Sequence, residues 1–199
     1  MAAEQYLKRK ERLLISAIRL LDEAGLAGLT TRELARREGI SEPAVYRHYD
    51  GKVEVLLAVL NRFSEFDEVL ENTVIENKMP PLDAIRHIID TYASYYAGYP
   101  EITSVLYSVD VWKYDKALDL RLKEIMNHRQ LLMQKLVDKA VEEGMLRNTD
   151  KSETLAELLS GIVGLATQQW RMRDMKYDLK SRIHEMVQIF LPETPYSAV

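Results

Sequence analysis

Residues Leu29–Lys52 read LTTRELARREGISEPAVYRHYDGK, and the way this stretch punctuates itself decides the fold. Thr30 followed three residues later by Glu33 is a capping box: the threonine oxygen and the glutamate carboxylate can each take a backbone N–H that a helix start leaves unpaired. Leu29 and Leu34 occupy the staple positions across that cap. A helix therefore opens at Thr31. It should end at Glu38, because Gly39 enters the left-handed conformation that closes helices without a Cβ clash. Ile40 fills the turn, Ser41 stands where the next N-cap belongs, and Pro43 is tolerated in a first turn whose N–H groups have no helical acceptor. Helix, tight turn, helix is the expected product. This is the arrangement that lays a second short helix in a DNA major groove while the first crosses above it.

Outward from this stretch, apolar residues recur at helical spacing and nowhere alternate as in a strand, so the fold class is all-α. Residues 5–24 form an amphipathic helix through Leu14, Ile18 and Leu21 that Gly25 closes. Asp50 or Gly51 caps the next helix, which carries Val53, Leu56, Leu60 and Phe63 past Val69. Pro80 and Pro81 then break the chain. A helix follows from Pro81 to Gly98, a shorter one from Pro100, and a long one over Tyr114–Glu143 that Gly144 ends. Asp150 and Glu153 repeat the cap pattern before a helix reaching about Arg173, and Asp178 opens the last, ahead of Pro192. The expected organisation is a three-helix N-terminal domain over residues 1–52, a linking helix over about 52–76, and a helical body over 77–199.

A length of 199 residues with 47% hydrophobic and 29% charged content suits a globular chain with a real core. The absence of cysteine excludes disulfides, thiolate catalysis and Cys-based zinc sites. His48, His87, His128 and His184 are too widely spaced to pair as ligands on one helix, and no nucleophile elbow or phosphate-cradling glycine loop is present. Neither an enzyme nor a metal or cofactor is expected. No apolar run approaches the roughly 18 residues of a membrane span, and MAAEQYLKRKER lacks the apolar core of a secretory leader, so a cytoplasmic protein is expected. The net charge is −4, but it is unevenly spread: residues 1–52 hold ten basic and eight acidic side chains, hence +2, and the remainder is −6. Phosphate attraction is thereby concentrated at one end, where Lys8, Arg9, Lys10 and Arg12 could add flanking contacts.

TTRELARREGISEPAVYRHYDGK resembles the DNA-binding signature of the TetR family of bacterial transcriptional regulators, through TTR at the first helix, EPA at the second, and Tyr46, His48 and Lys52. The resemblance implies DNA contacts at Thr31, Arg32, Glu42, Pro43, Ala44, Tyr46, His48 and Lys52, with Ser41 and Arg47 beside them. By chemical type Tyr46, His48 and Lys52 suit phosphate oxygens, Arg32 suits a guanine edge, Glu42 a cytosine amino group, and Pro43 or Ala44 a thymine methyl. Glu42 departs from the family pattern, where a lysine or a small residue is common.

In the body, most large side chains, Tyr114 and Met172 among them, read as core. Tyr92, Tyr95, Tyr96 and Tyr99 nevertheless share one helical face, and each hydroxyl wants a partner if buried. Apolar walls with a few polar handles are the usual form of a small-ligand site. With the resemblance, this places an apolar or aromatic effector among Tyr92, Tyr95, Tyr96, Tyr99, Leu106, Trp112, Met126, Met133 and Trp170. Family members dimerise through their last two long helices, here Leu155, Leu158, Leu159, Ile162, Val163, Ala166, Ile183, Met186, Val187 and Phe190. The expected protein is a homodimeric repressor that releases a palindromic operator when its effector binds. The alternative is a DNA-anchored helical protein that recruits a protein partner and has no effector.

Overall fold

The structure is a computed structural model that describes residues 8–106, 112–146 and 151–191, and among these the chain forms nine helices and no strand. They are α1 (Arg9–Gly28), α2 (Thr31–Glu38), α3 (Glu42–Tyr46), α4 (Lys52–Glu76), α5 (Pro81–Gly98), α6 (Glu101–Leu106), α7 (Lys116–Glu142), α8 (Ser152–Met172) and α9 (Leu179–Gln188). The start expected for the first helix at residue 5 and the Asp150 cap lie outside the described residues. Gly25 does interrupt α1, with φ 62° and ψ −167°, but a last turn resumes beyond it to Gly28. The long helix begins two residues later than Tyr114, because Asp115 caps it: its carboxylate accepts the Ala117 N–H at 2.8 Å. Asp178 caps α9 as expected, accepting the Ser181 N–H at 2.6 Å.

Two compact units result, Met1–Glu65 with Pro100–Glu124, and Phe66–Tyr99 with Ile125–Val199. This division differs from the expected 1–52 and 77–199. The reason is α6, which packs on α1. Ile102, Val105 and Trp112 are all buried, and the Trp112 indole N–H donates to the Val105 carbonyl at 2.9 Å, so this segment completes the core of the first unit. α4 and α7 each contribute residues to both units.

In the first unit, Leu13, Ala17, Ile18, Leu20 and Leu21 of α1 are buried together with Leu34, Val45, Tyr49 and the Val55, Leu56, Val59, Leu60 and Phe63 stripe of α4. Polar ties fix the helices around that core. Ser16 donates to Glu38 at 2.6 Å, Arg12 pairs with the same carboxylate at 3.2 Å, and Arg62 holds Glu11. In the second unit, α5 packs on α8 and α9, and α8 packs on α9. Ile85, Ile88, Ile89, Ala93, Leu159, Ile162, Ala166, Ile183 and Val187 are among the buried residues there. Among the described residues no helix is long and apolar enough to cross a membrane.

Candidate nucleic-acid interface and effector site

The turn between α2 and α3 is built as the sequence dictates. Thr30 Oγ1 accepts the Glu33 N–H at 3.0 Å, Leu29 and Leu34 are both buried, and Gly39 takes φ 63° and ψ 37° while the Ile40 N–H returns to the Ala35 carbonyl at 3.0 Å. Two expected details are corrected. The Glu33 carboxylate does not complete the capping box; it is bound by Arg36 at 2.7 and 2.8 Å, with Arg37 at 3.6 Å. Nor does the Ser41 side chain cap α3. Pro43 lacks the N–H that such a cap would use, and the Ala44 N–H is taken by the Ser41 carbonyl at 2.9 Å.

One polar junction fastens α2 to α3. The Thr31 hydroxyl donates to Glu42 at 2.5 Å and lies 3.4 Å from the Tyr46 hydroxyl. Glu42, the residue that departs from the family pattern, is thereby tied inside the reader and keeps one oxygen for a donor outside it. Arg32, Ser41, Pro43, Tyr46 and Arg47 are exposed, and His48 is half-buried. Ala44 is only 7% exposed, so its methyl packs inward, whereas Pro43 lies at the surface. Arg12 is paired with Glu38, Arg36 with Glu33 and Arg37 with Glu23. Among the described residues Arg32 and Arg47 hold no ion pair, which leaves their guanidinium groups available to bases and phosphates.

The reader is keyed to the rest of its unit at two points. Tyr49 is buried, its hydroxyl donates to the Lys10 carbonyl at 3.1 Å, and Lys10 Nζ stands 5.2 Å from its ring centroid. Burial pushes this phenol up to about 12. Lys52 is not a free cation: its ammonium donates to the Leu26 carbonyl and lies 5.3 Å from the Tyr114 ring centroid, and burial holds its pKa below the ordinary lysine value.

In the second unit the tyrosines do gather, around a charge pair the sequence reading missed. Arg129 of α7 grips Asp67 of α4 with two N–H groups at 2.6 and 2.8 Å. The Tyr92 hydroxyl donates to the same carboxylate at 2.7 Å, and the guanidinium lies 4.8 Å from the Tyr92 ring centroid and 3.5 Å from the Tyr96 hydroxyl. Phe66 stacks on Tyr95 at 4.3 Å, and Tyr95 meets Tyr99 edge-on at 6.3 Å. Burial drives the Tyr92 phenol far upward. A signal for the pair was present. Asp67 falls between Phe63 and Leu70, and Arg129 between Ile125 and Met133, at spacings that otherwise carry core residues, and a charge at a core position implies a buried partner.

Not every expected ligand residue joins this cluster. Trp112 is fully buried in the first unit against Val105, and the Leu106 side chain lies outside the described residues. Met126 is exposed, Met133 is buried, and Trp170 is buried with its indole N–H on the Tyr177 carbonyl at 2.8 Å. Among the described residues no cluster of His, Asp or Glu could hold a metal ion.

Residues 13–59 match bacterial regulatory proteins of the tetR family, and residues 59–192 match the YsiA-like protein C-terminal region. The chain belongs to the TetR family. Similarity extends to the nucleoid occlusion factor SlmA of Vibrio cholerae, 24% identical over 179 residues, covering 89% of this chain and 91% of that protein. In fold it is similar to the transcriptional regulator FadR from Bacillus subtilis in complex with stearoyl-CoA, with a TM-score of 0.79 and 16% identity over 92% of this chain and 98% of that one. It is also similar to AibR in complex with isovaleryl coenzyme A and operator DNA, with a TM-score of 0.79 and 17% identity over 95% of this chain and 100% of that one. The protein is thus a DNA-binding regulator of the TetR type, with α2 and α3 as its helix-turn-helix.

For a TetR-family dimer face, the last helices divide differently from expectation. Leu159, Ile162, Val163, Ala166, Ile183 and Val187 are buried within the protomer, where α8 and α9 pack on α5 and on each other, so they cannot form an outer surface. Leu155 and Met186 are half-buried, while Leu158 and Phe190 are exposed. Leu165, Met172 and Ile189 are exposed as well. Leu158 (47% exposed), Gly161, Leu165 (50%) and Met172 (84%) recur at steps of three, four and seven residues and make one outward stripe on α8.

Proposed function

We propose that the protein is a cytoplasmic, homodimeric repressor that releases a palindromic operator when a small, largely apolar effector occupies the tyrosine cluster of the second unit. Two reader helices would enter successive major grooves only at a separation of about 34–36 Å, so an effector that prefers a dimer with another separation lowers DNA affinity by that preference. DNA weakens the effector by the same factor.

The observation that carries this reading is the buried Asp67–Arg129 pair contacted by Tyr92 and Tyr96, with Tyr95 against Tyr96. Its aromatic walls suit an acyl or aromatic body, and its tyrosine hydroxyls and guanidinium suit a neutral carbonyl oxygen. A free carboxylate is disfavoured, since it would compete with Asp67 for the same guanidinium. The complexes of FadR with stearoyl-CoA and of AibR with isovaleryl coenzyme A support an acyl thioester as the effector class. Exposed Leu158, Leu165 and Met172 support dimerisation through α8.

A mobility shift on the promoter beside its own gene, titrated with acyl-CoAs of graded length and with the matching free acids, tests the reading. Release by thioesters at lower concentration than by acids is expected. Operator binding indifferent to every acyl-CoA would overturn the effector half. The SlmA relatives favour a second reading, in which the DNA-bound body recruits a protein partner and has no effector. That reading requires operator binding with no thermal shift from any lipophilic compound.

A further inference from the structure

Lys52 opens α4, and two groups from elsewhere in the first unit hold its ammonium. One is the Leu26 carbonyl. Leu26 lies in the last turn of α1, beyond the Gly25 break, where helix carbonyls lack intrahelical donors, and that turn contains no basic residue of its own. The other is the face of Tyr114, 5.3 Å away. Tyr114 was expected in the core, yet it is 56% exposed, with its ring set against the Lys52 ammonium. It is also well anchored. Trp112, two residues earlier, is fully buried with its indole on Val105, and Asp115, the next residue, caps α7.

An ammonium has three N–H donors in a tetrahedral array. The carbonyl takes one and the ring face draws another, so the third is left with a defined direction. Lysine otherwise loses much rotamer freedom when it docks, and a stem fixed in advance loses less. We propose that Tyr114 is a positioning residue for DNA binding: its ring, with the Leu26 carbonyl, presets the Lys52 ammonium to meet a backbone phosphate. This rests on the reading of Lys52 as a phosphate contact, and it adds a residue from the segment leading into α7 that does not itself reach DNA.

The test uses the full-length protein and a fluorescent duplex of random sequence, with affinity measured across a salt series. Lys52→Ala should flatten the slope of log affinity against log salt by about one. Tyr114→Leu should weaken binding by roughly three- to tenfold at low salt and flatten the slope toward that of Lys52→Ala, whereas Tyr114→Phe keeps the ring and should match wild type. The double variant Lys52→Ala/Tyr114→Leu should bind no more weakly than Lys52→Ala. A Tyr114→Leu slope equal to wild type, or losses that multiply in the double variant, would overturn the positioning role while leaving Lys52 as a phosphate contact. An unchanged slope for Lys52→Ala removes both. Thermal melting of Tyr114→Leu within a degree or two of wild type shows that the loss is not one of folding.

Discussion

Glu42 and Asp67 are both carboxylates that receive a hydroxyl from the helix packed beside them, but they stand in opposite surroundings. Glu42 is half-exposed and takes the Thr31 hydroxyl at 2.5 Å, with Tyr46 close by. Asp67 is buried, takes Tyr92 at 2.7 Å, and faces a guanidinium that is itself largely withdrawn from solvent. Water can replace a lost partner at Glu42, so losing the Thr31 hydroxyl there costs little. At Asp67 no water replaces Arg129, so the pair is either whole or strongly destabilising.

Breaking the buried side of this comparison gives the largest expected effect. Asp67→Ala leaves the Arg129 guanidinium buried without its carboxylate and should lower unfolding stability by about 3–5 kcal/mol in urea titrations. The double replacement Asp67→Leu/Arg129→Met should recover most of that loss, because apolar groups of similar volume need no partner. Glu42→Gln, the exposed counterpart, should stay within about 0.5 kcal/mol of wild type. Equal losses at Asp67 and Glu42 would erase the distinction.

A second contrast lies on α8, between its inward and outward apolar residues. Leu165→Glu alters an outward side chain, so the protomer should stay folded while the dimer weakens by at least about 2 kcal/mol if this is the central contact, roughly thirtyfold. Sedimentation reads the dissociation, and operator affinity should fall with it. Leu159→Ala, buried on the same helix, should instead lower stability by about 2–5 kcal/mol. A dimeric Leu165→Glu protein would move the interface elsewhere.

Within the reader, the proposed base reading by Arg32 and the proposed backbone holding by Lys52 can be told apart. Arg32→Ala should cost about 1–3 kcal/mol on the operator and little on random duplex, relaxing the choice at one base pair. Lys52→Ala should weaken both duplexes alike. Losses of equal size on cognate and random DNA for Arg32→Ala would make Arg32 a phosphate contact.

The difference between the two regions also explains what could be read from the sequence. α2, Gly39 and α3 are specified by neighbours within a few residues of each other, such as the Thr30 cap on Glu33, so their boundaries were legible at Thr31 and Glu38. The four tyrosines were legible as one face because a helix repeats every three to four residues. Asp67 and Arg129 lie 62 residues apart, and no local rule joins them. The inward or outward sense of α8 was hidden for a related reason. Leu158, Leu159, Ile162 and Leu165 are alike in hydropathy, and only the packing of α5 and α9 decides which of them faces out. Trp112 was assigned to the effector site on residue type alone, whereas the fold uses it to seat α6 on α1.

The smallest expected effect comes from two hydroxyls that stand in the same place before consecutive helices. Thr30 Oγ1 satisfies the Glu33 N–H, so Thr30→Ala strands that donor and should lower stability by about 1 kcal/mol. Ser41 precedes α3 in the same way, but Pro43 offers no N–H and the Ala44 N–H already bonds the Ser41 carbonyl, a bond that survives loss of the side chain. Ser41→Ala should therefore leave urea unfolding within about 0.5 kcal/mol of wild type. Its exposed hydroxyl, freed from capping, is instead available to a phosphate at the start of the recognition helix, and operator affinity should fall modestly while stability holds. A Ser41→Ala loss of stability as large as that of Thr30→Ala would mean that the hydroxyl caps α3 after all, and Ser41 would then leave the set of DNA contacts.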